Sequence, residues 1–361
     1  MGTASTDQAA IDCRAMPIML AGILAMIAGC QPSEKPAAPA VSTAEKTSPA
    51  GSATAKSEEV TLALNWHPEA EHGGYYAALV HGFYEEEGLK VTIRPGGPGV
   101  RVEADVASGA VTFGVANADK VIVWRAQQAD VVAVMSPVQD SPRCIMVHKK
   151  SGLSKLQDLA TRRPFTLAMN SDNPFALFLQ KSVDLKDIQI VKYPGNVNQF
   201  IDALDYGIQA YSFSEPLLAQ EKGADPVCLM VSDIGFNTYT STLIAQREKI
   251  DKQPDLVARM TRASIRGWKK YLREPEATNK FIHEQNPEMG LKVLDFGVNA
   301  LKPLCLPEGL DESRLGEMTS DRWEQLVKQM TEIGSIKPGA VSASESFTTQ
   351  FLPVRQAPPE K

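Results

Sequence analysis

The stretch LALNWHPEAEHGGYYAALVHGFYEEEGLKVTIRPGGPG, residues 62–99, decides the fold. Its start completes a strand over 59–65 that alternates and then runs apolar, the pattern of a buried strand. A turn rich in polar and aromatic groups, 66–74, comes next. Residues 75–87 have helical spacing, with Tyr76, Leu79, Val80 and Phe83 on one face, and Gly88 stops the helix. Residues 89–94 read as a second strand and 95–99 as a glycine turn. Strand, helix, strand in this order predicts a βαβ unit and therefore a parallel sheet.

Working outward, the alternation continues. Helices are expected over 101–109 and 118–128, with strands over 112–115 and 131–136. A strand at 145–148 leads into a second run of strands, at 165–169, 188–192, 208–213 and 227–231, with helices between them. Ser154 and Gln157 have capping-box spacing at the start of a short helix ending at Leu159. Residues 240–245 read as a return strand. After 252 the pattern turns helical, over 255–273, 276–285, 289–300 and 320–333. A chain of 361 residues has a prior of roughly two domains. The expected organisation is α/β: residues 58–143 and 236–353 form one lobe with C-terminal helices, 144–235 form the second, and 354–361 are a tail. Two such lobes leave a cleft, where ligand sites concentrate.

The N-terminal part reads as an address. Residues 16–29 are apolar and too short to span a membrane, and Arg14 precedes them, as in a secretory signal. Met16 is an alternative start. The run ends on Ala28, Gly29 and Cys30, small residues before a cysteine, which resembles a bacterial lipobox. Lipoproteins of that kind are cut before the cysteine and acylated on it, so residues 1–30 are expected as signal and Cys30 as the lipidation site. Residues 31–57 are rich in Pro, Ala, Ser and Thr without apolar period, which predicts a disordered tether. The expected location is the periplasmic side of the envelope, anchored through lipid.

Net charge is −6 and no large basic cluster is present, so nucleic acid is not an expected partner. The five cysteines include no CxxC pair, and no metal site is expected. Removal of the signal would leave Cys144, Cys228 and Cys305 in the folded part, beyond the lipidated Cys30. Buried apolar cysteine is the simplest reading of the three, and a Cys144–Cys228 bridge stays open. No G-x-S-x-G or H-E-x-x-H motif appears, and no catalytic residue is assigned.

Several residues have ligand-contacting chemistry. Trp66, Tyr75 and Tyr76 offer aromatic faces. His67, Glu71 and His72 suit hydrogen bonding better than metal ligation. The turn at Gly96 and Gly97 can present backbone N–H groups, but it matches no phosphate-binding motif. Asn117 and Asp119, Gln139 and Asp140, and Asn170 and Ser171 each follow a strand, as Glu215 does after Tyr211. Carboxyl ends of parallel strands form the usual binding edge. Helix capping and solvated loops account for the same residues equally well.

The motifs N-W-x-P-E-A-E-H-G-G-Y-Y, G-F-Y-x-x-x-G-L-x-V-x-I-x-P-G-G-P, V-A-S-G-A-V-T-F-G-V-A-N-A-D and Y-S-F-S-E-P-L-L-A resemble the solute-binding proteins of ABC importers. The nearest branch is the thiamine-pyrimidine binders, related to nitrate, sulfonate and taurine binders. The resemblance covers roughly residues 60–273. It implies a type II periplasmic binding protein fold, two α/β lobes closing on a small molecule, a monomer without cofactor, and an ABC permease and ATPase as partners. It also implies a pocket made of Asn65, Trp66, His72, Gly96, Gly97, Asn117, Gln139, Asn170 and Glu215. A thiamine pyrimidine precursor is the first expected ligand, with riboflavin, nitrate, sulfonate and taurine as alternatives. The same branch includes a pyrimidine-forming enzyme of thiamine biosynthesis. Its C-C-C-F-C signature is absent from this sequence, and Lys120 is the lysine nearest to the position of its cofactor lysine.

Overall fold

The computed structural model describes residues 57–353. The signal segment, Cys30, the tether up to residue 56 and the tail at 354–361 lie outside the described residues.

Among the described residues, ten strands form two five-stranded sheets. The first holds β1 (Glu58–Ala63), β2 (Leu89–Arg94), β3 (Phe113–Ala116), β4 (Val132–Met135) and β10 (Thr242–Ala245), in the order β2-β1-β3-β10-β4. β1 is parallel to both β2 and β3, which is the βαβ geometry of the opening stretch. The second holds β5 (Arg143–His148), β6 (Thr166–Ala168), β7 (Gln189–Val191), β8 (Tyr206–Tyr211) and β9 (Pro226–Met230), in the order β7-β6-β8-β5-β9. Here β6 is parallel to β7 and β8. The chain crosses between sheets twice, after β4 and after β9. Each crossing delivers a strand that inserts antiparallel to its neighbours: β5 between β8 and β9, and β10 between β3 and β4. Two lobes joined by two crossings constitute the periplasmic binding protein fold.

The helix expected over 75–87 is two helices, Gly73–Val80 and Phe83–Glu86, broken at Gly82 with φ 73°. A left-handed residue ends the first helix and lets the chain turn. The turn buries Tyr84, whose hydroxyl lies 3.3 Å from that of Ser264. The capping pair also differs. Asp158, not Gln157, accepts the N–H groups of Ser154 and Lys155 at 2.9 and 3.1 Å, and the turn it opens, Leu156–Thr161, is 3-10. The helix expected to end at 300 runs Leu291–Cys305, through Pro303.

The helix Gly73–Val80 packs on the amphipathic helix Pro254–Arg273 through glycines. A Cβ on Gly74 would overlap the Trp268 ring, and one on Gly267 would overlap the Gly74 carbonyl. Close approach leaves Trp268 and Tyr75 fully buried. Tyr75 donates a 2.6 Å hydrogen bond to the Ser241 carbonyl. Tyr75 and Tyr76 are thus core residues rather than aromatic faces for a ligand.

Candidate functional site

The strand order places the carboxyl ends of β1, β2 and β3 in one lobe opposite those of β6 and β8 in the other. Between them lies a cleft of about 730 Å³, within the range for small-molecule sites. Asn65 and Trp66 reach it after β1, Gly97 after β2, Asn117 after β3, Asn170 after β6 and Glu215 after β8. Six of the nine expected residues therefore share one wall system, as binding at the carboxyl edge requires.

The other three lie elsewhere. His72 is fully buried beneath the cleft. Its Nε2 is 2.9 Å from Oδ1 of Asn65. An amide oxygen only accepts, so Nε2 carries the proton and donates. Burial lowers the His72 pKa to about 3, which keeps the ring neutral. His72 thus positions Asn65. Gly96 is a close-approach residue: a Cβ there would overlap the Leu64 carbonyl, and its N–H donates to the Trp66 carbonyl at 2.9 Å. Gln139 is buried in the crossing after β4. Its amide donates to the carbonyls of Ser136 and Glu317 at 2.7 and 2.9 Å, and Arg322 donates to its backbone oxygen at 2.6 Å. Those bonds use its polar atoms in the hinge, away from the cleft.

Beside Lys120, the cleft contains groups that the sequence did not single out. Arg143, the first residue of β5, lines it, with its guanidinium carbon 3.9 Å from the Tyr211 ring centre and 4.8 Å from that of Phe175. Trp124 lines it too, with the Arg101 guanidinium 5.0 Å from its ring centre. Lys120 donates to Oδ1 of Asn173 across the lobes at 3.0 Å. No sequence periodicity flags Arg143. A lone charge opening the apolar strand R-C-I-M-V-H is the signal that was available.

Three glutamates form an acidic floor. Glu215 accepts from the Tyr193 hydroxyl at 3.1 Å and from the Tyr211 N–H at 2.9 Å. Burial raises its pKa, against the lowering effect of these bonds and of Arg143. Burial raises Glu71 to about 8, with Arg143 opposing and Glu215 reinforcing the shift. Burial, then the charges of Glu71 and Glu215, push Glu69 well up. At neutral pH Glu71, raised to about 8, keeps its proton and can donate a hydrogen bond as well as accept one. Among the described residues no group of three or more His, Cys, Asp or Glu could hold a metal ion. No helix of the described residues is long and apolar enough to cross a membrane.

A family model described as NMT1/THI5 like matches residues 69–278. Riboflavin-binding protein RibY of Chloroflexus aurantiacus is 24% identical over 347 residues, covering 92% of this chain and 95% of the relative. A 4-amino-5-hydroxymethyl-2-methylpyrimidine phosphate synthase of Legionella pneumophila is 27% identical over 241 residues, covering 64% of this chain and 74% of the relative. Among solved structures, the periplasmic aliphatic sulphonate binding protein SsuA of Escherichia coli matches with a TM-score of 0.60 at 15% identity, covering 84% of this chain and 98% of that one. Binding proteins and a biosynthetic enzyme thus share this sequence likeness, and the fold is that of the binding proteins.

Proposed function

The chain belongs to the NMT1/THI5-like family, and from that premise we propose that it is the substrate-binding component of an ABC importer for a planar nitrogen heterocycle. One observation carries the reading: Trp66 and the protonatable floor of Glu69, Glu71 and Glu215 line the same cleft. An aromatic face suits a flat ring. Carboxyls that donate and accept suit ring nitrogens, amino groups and carbonyls. A thiamine pyrimidine precursor and riboflavin both have this chemistry. The riboflavin-binding relative spans nearly the whole chain, and a cleft of about 730 Å³ has room for fused rings.

Nitrate and sulfonates fit less well. A nitrate or sulfonate group only accepts hydrogen bonds, so it would leave the accepting oxygens of these carboxyls and the Trp66 face without partners. The SsuA likeness concerns fold, and carries no ligand with it.

The importer role implies a permease and an ATPase that read lobe closure, an exported chain, and an anchor through Cys30. The mass of the mature N-terminal peptide tests that anchor: acylated Cys30 supports it, and an unmodified peptide removes it. The ligand test is a thermal-shift screen followed by calorimetry against riboflavin, thiamine pyrimidines, alkanesulfonates and nitrate. A ligand that binds only the native state must raise its stability. Stabilisation by a heterocycle supports the reading, and stabilisation by sulfonate or nitrate alone sinks it. The synthase relative justifies one further arm. A saturable absorbance change with pyridoxal phosphate, lost in Lys120→Ala, would replace the transport reading with an enzymatic one.

A further inference from the structure

We propose that Cys144 and Cys228 form a disulfide that staples the edge of the second sheet beside the cleft. The two thiols lie on adjacent antiparallel strands. Cys144 pairs in register with Met230, and Cys228 with Met146. Residues two apart on a strand share a face, so the cysteines are diagonal neighbours on one side of the sheet. Their sulfurs are 2.7 Å apart. That is inside an ordinary non-bonded contact, about 3.5 Å or more between heavy atoms, and a short step from a bond of ~2.0 Å.

The surroundings favour a bridge over other uses of two thiols. Cys144 is buried within the apolar cluster of Met146, Phe200, Ile208 and Ala210. No third or fourth metal ligand stands by among the described residues, and two thiolates alone do not make a zinc site. Cys228 is half-buried on the edge strand β9, where an oxidant can reach it. Cys305 is buried in the separate core of the first lobe. The odd cysteine count of the described part therefore resolves into one bridge and one inert thiol.

The chemistry balances with a small or protein disulfide as oxidant. Cys228 thiolate attacks a sulfur of the oxidant, forming a mixed disulfide and releasing the first thiol. Cys144 thiolate then displaces the second thiol and closes the Cys144–Cys228 bond. Two protons and two electrons leave with the reduced oxidant. The bridge spans 84 residues, so it restricts the unfolded chain strongly in the entropic account. It also fixes the edge strand β9 to β5, whose first residue, Arg143, faces the cleft.

The test uses the full chain equilibrated with oxidised and reduced glutathione, denatured in N-ethylmaleimide without further reductant, digested and mapped by mass spectrometry. The expected result is a cross-linked peptide pair joining Cys144 to Cys228, with maleimide on Cys305. The Cys305→Ala variant should retain the link. The oxidised protein should unfold several degrees above the reduced one, and Cys228→Ser should abolish the difference. Maleimide on both Cys144 and Cys228 at an oxidising glutathione ratio overturns the proposal, as does a link from either to Cys305.

Discussion

The side-chain amide of Asn117 donates a 2.9 Å hydrogen bond to the hydroxyl of Tyr211, and in doing so joins one lobe to the other. Asn117 follows β3 of the first sheet, and Tyr211 ends β8 of the second. A second bond, from Lys120 to Asn173, repeats the connection nearby. Opening the cleft must break both. The closed arrangement thus has intrinsic links of its own, to which a ligand touching both walls would add. Tyr211→Phe removes the first link and keeps the ring beside Arg143. The expected effect is a loss of about 0.5–1.5 kcal/mol from the closed state, seen as a larger radius of gyration by small-angle scattering of the free protein and weaker ligand binding. An unchanged radius would show that the bond does not bias closure.

Of the aromatic residues Trp66, Tyr75 and Tyr76 that the sequence offers, Trp66 lines the cleft, whereas Tyr75 and Tyr76 are spent in the core. Trp66→Ala should weaken a heterocyclic ligand by roughly 1–3 kcal/mol if the indole stacks on it. Trp66→Phe should recover part of that loss. Calorimetry on the two variants checks both statements, and equal affinity for wild type and Trp66→Ala would remove stacking from the account.

The acidic floor predicts a pH dependence of stability. Burial, offset by Arg143 and reinforced by Glu215, raises Glu71 from 4.5 to about 8. Between those values the folded state keeps a proton that the unfolded state has released. Stability therefore falls as pH rises through this window, by up to about 1.4 kcal/mol per pH unit for a single group. The contribution is fully present below pH 4.5. Glu69 and Glu215 shift in the same direction and steepen the fall. His72, lowered from 6.5 to about 3, acts in the opposite sense below pH 6.5, so the decline is read above that value: unfolding midpoints should fall from pH 6.5 to pH 8, and Glu71→Gln, which cannot ionise, should flatten the fall. A profile that rises over this range, or one unchanged in Glu71→Gln, would contradict the assignment.

What the sequence disclosed depended on periodicity. The helix Pro254–Arg273 lies within one residue of its expected start and ends where expected, because its apolar stripe is long and strong. Asn65, Asn117, Asn170 and Glu215 line the cleft because the ends of parallel strands are where a cleft must form. His72, Gly96 and Gln139 share the same segments, but whether a loop residue faces the cleft or its supporting layer is set by packing rather than spacing. Arg143 escaped notice because its importance comes from the direction of β5, and that direction follows from pairing with β8 and β9, distant in sequence. The proximity of Cys144 and Cys228 is hidden for the same reason.

The glycine contact that holds the first helix to the body gives a final prediction. Gly74 lies against the Trp268 ring so closely that a Cβ would overlap it, and Trp268 is fully buried and meets Tyr75 edge-on at 5.8 Å. The ring cannot retreat without moving Tyr75, whose hydroxyl is fixed to the Ser241 carbonyl. Gly74→Ala should therefore destabilise by about 1–3 kcal/mol through overpacking, although alanine has the better intrinsic helix propensity by roughly 1 kcal/mol. Gly82→Ala, where no atom stands within 4 Å of the added Cβ, should cost less and only through its left-handed backbone. Urea unfolding of the two variants separates steric from backbone cost. The same helix follows directly on the turn that bears Trp66, Glu69 and Glu71, so ligand affinity should fall in Gly74→Ala and hold in Gly82→Ala. Loss of affinity in Gly82→Ala alone would mean that the helix break, not the helix contact, positions the cleft.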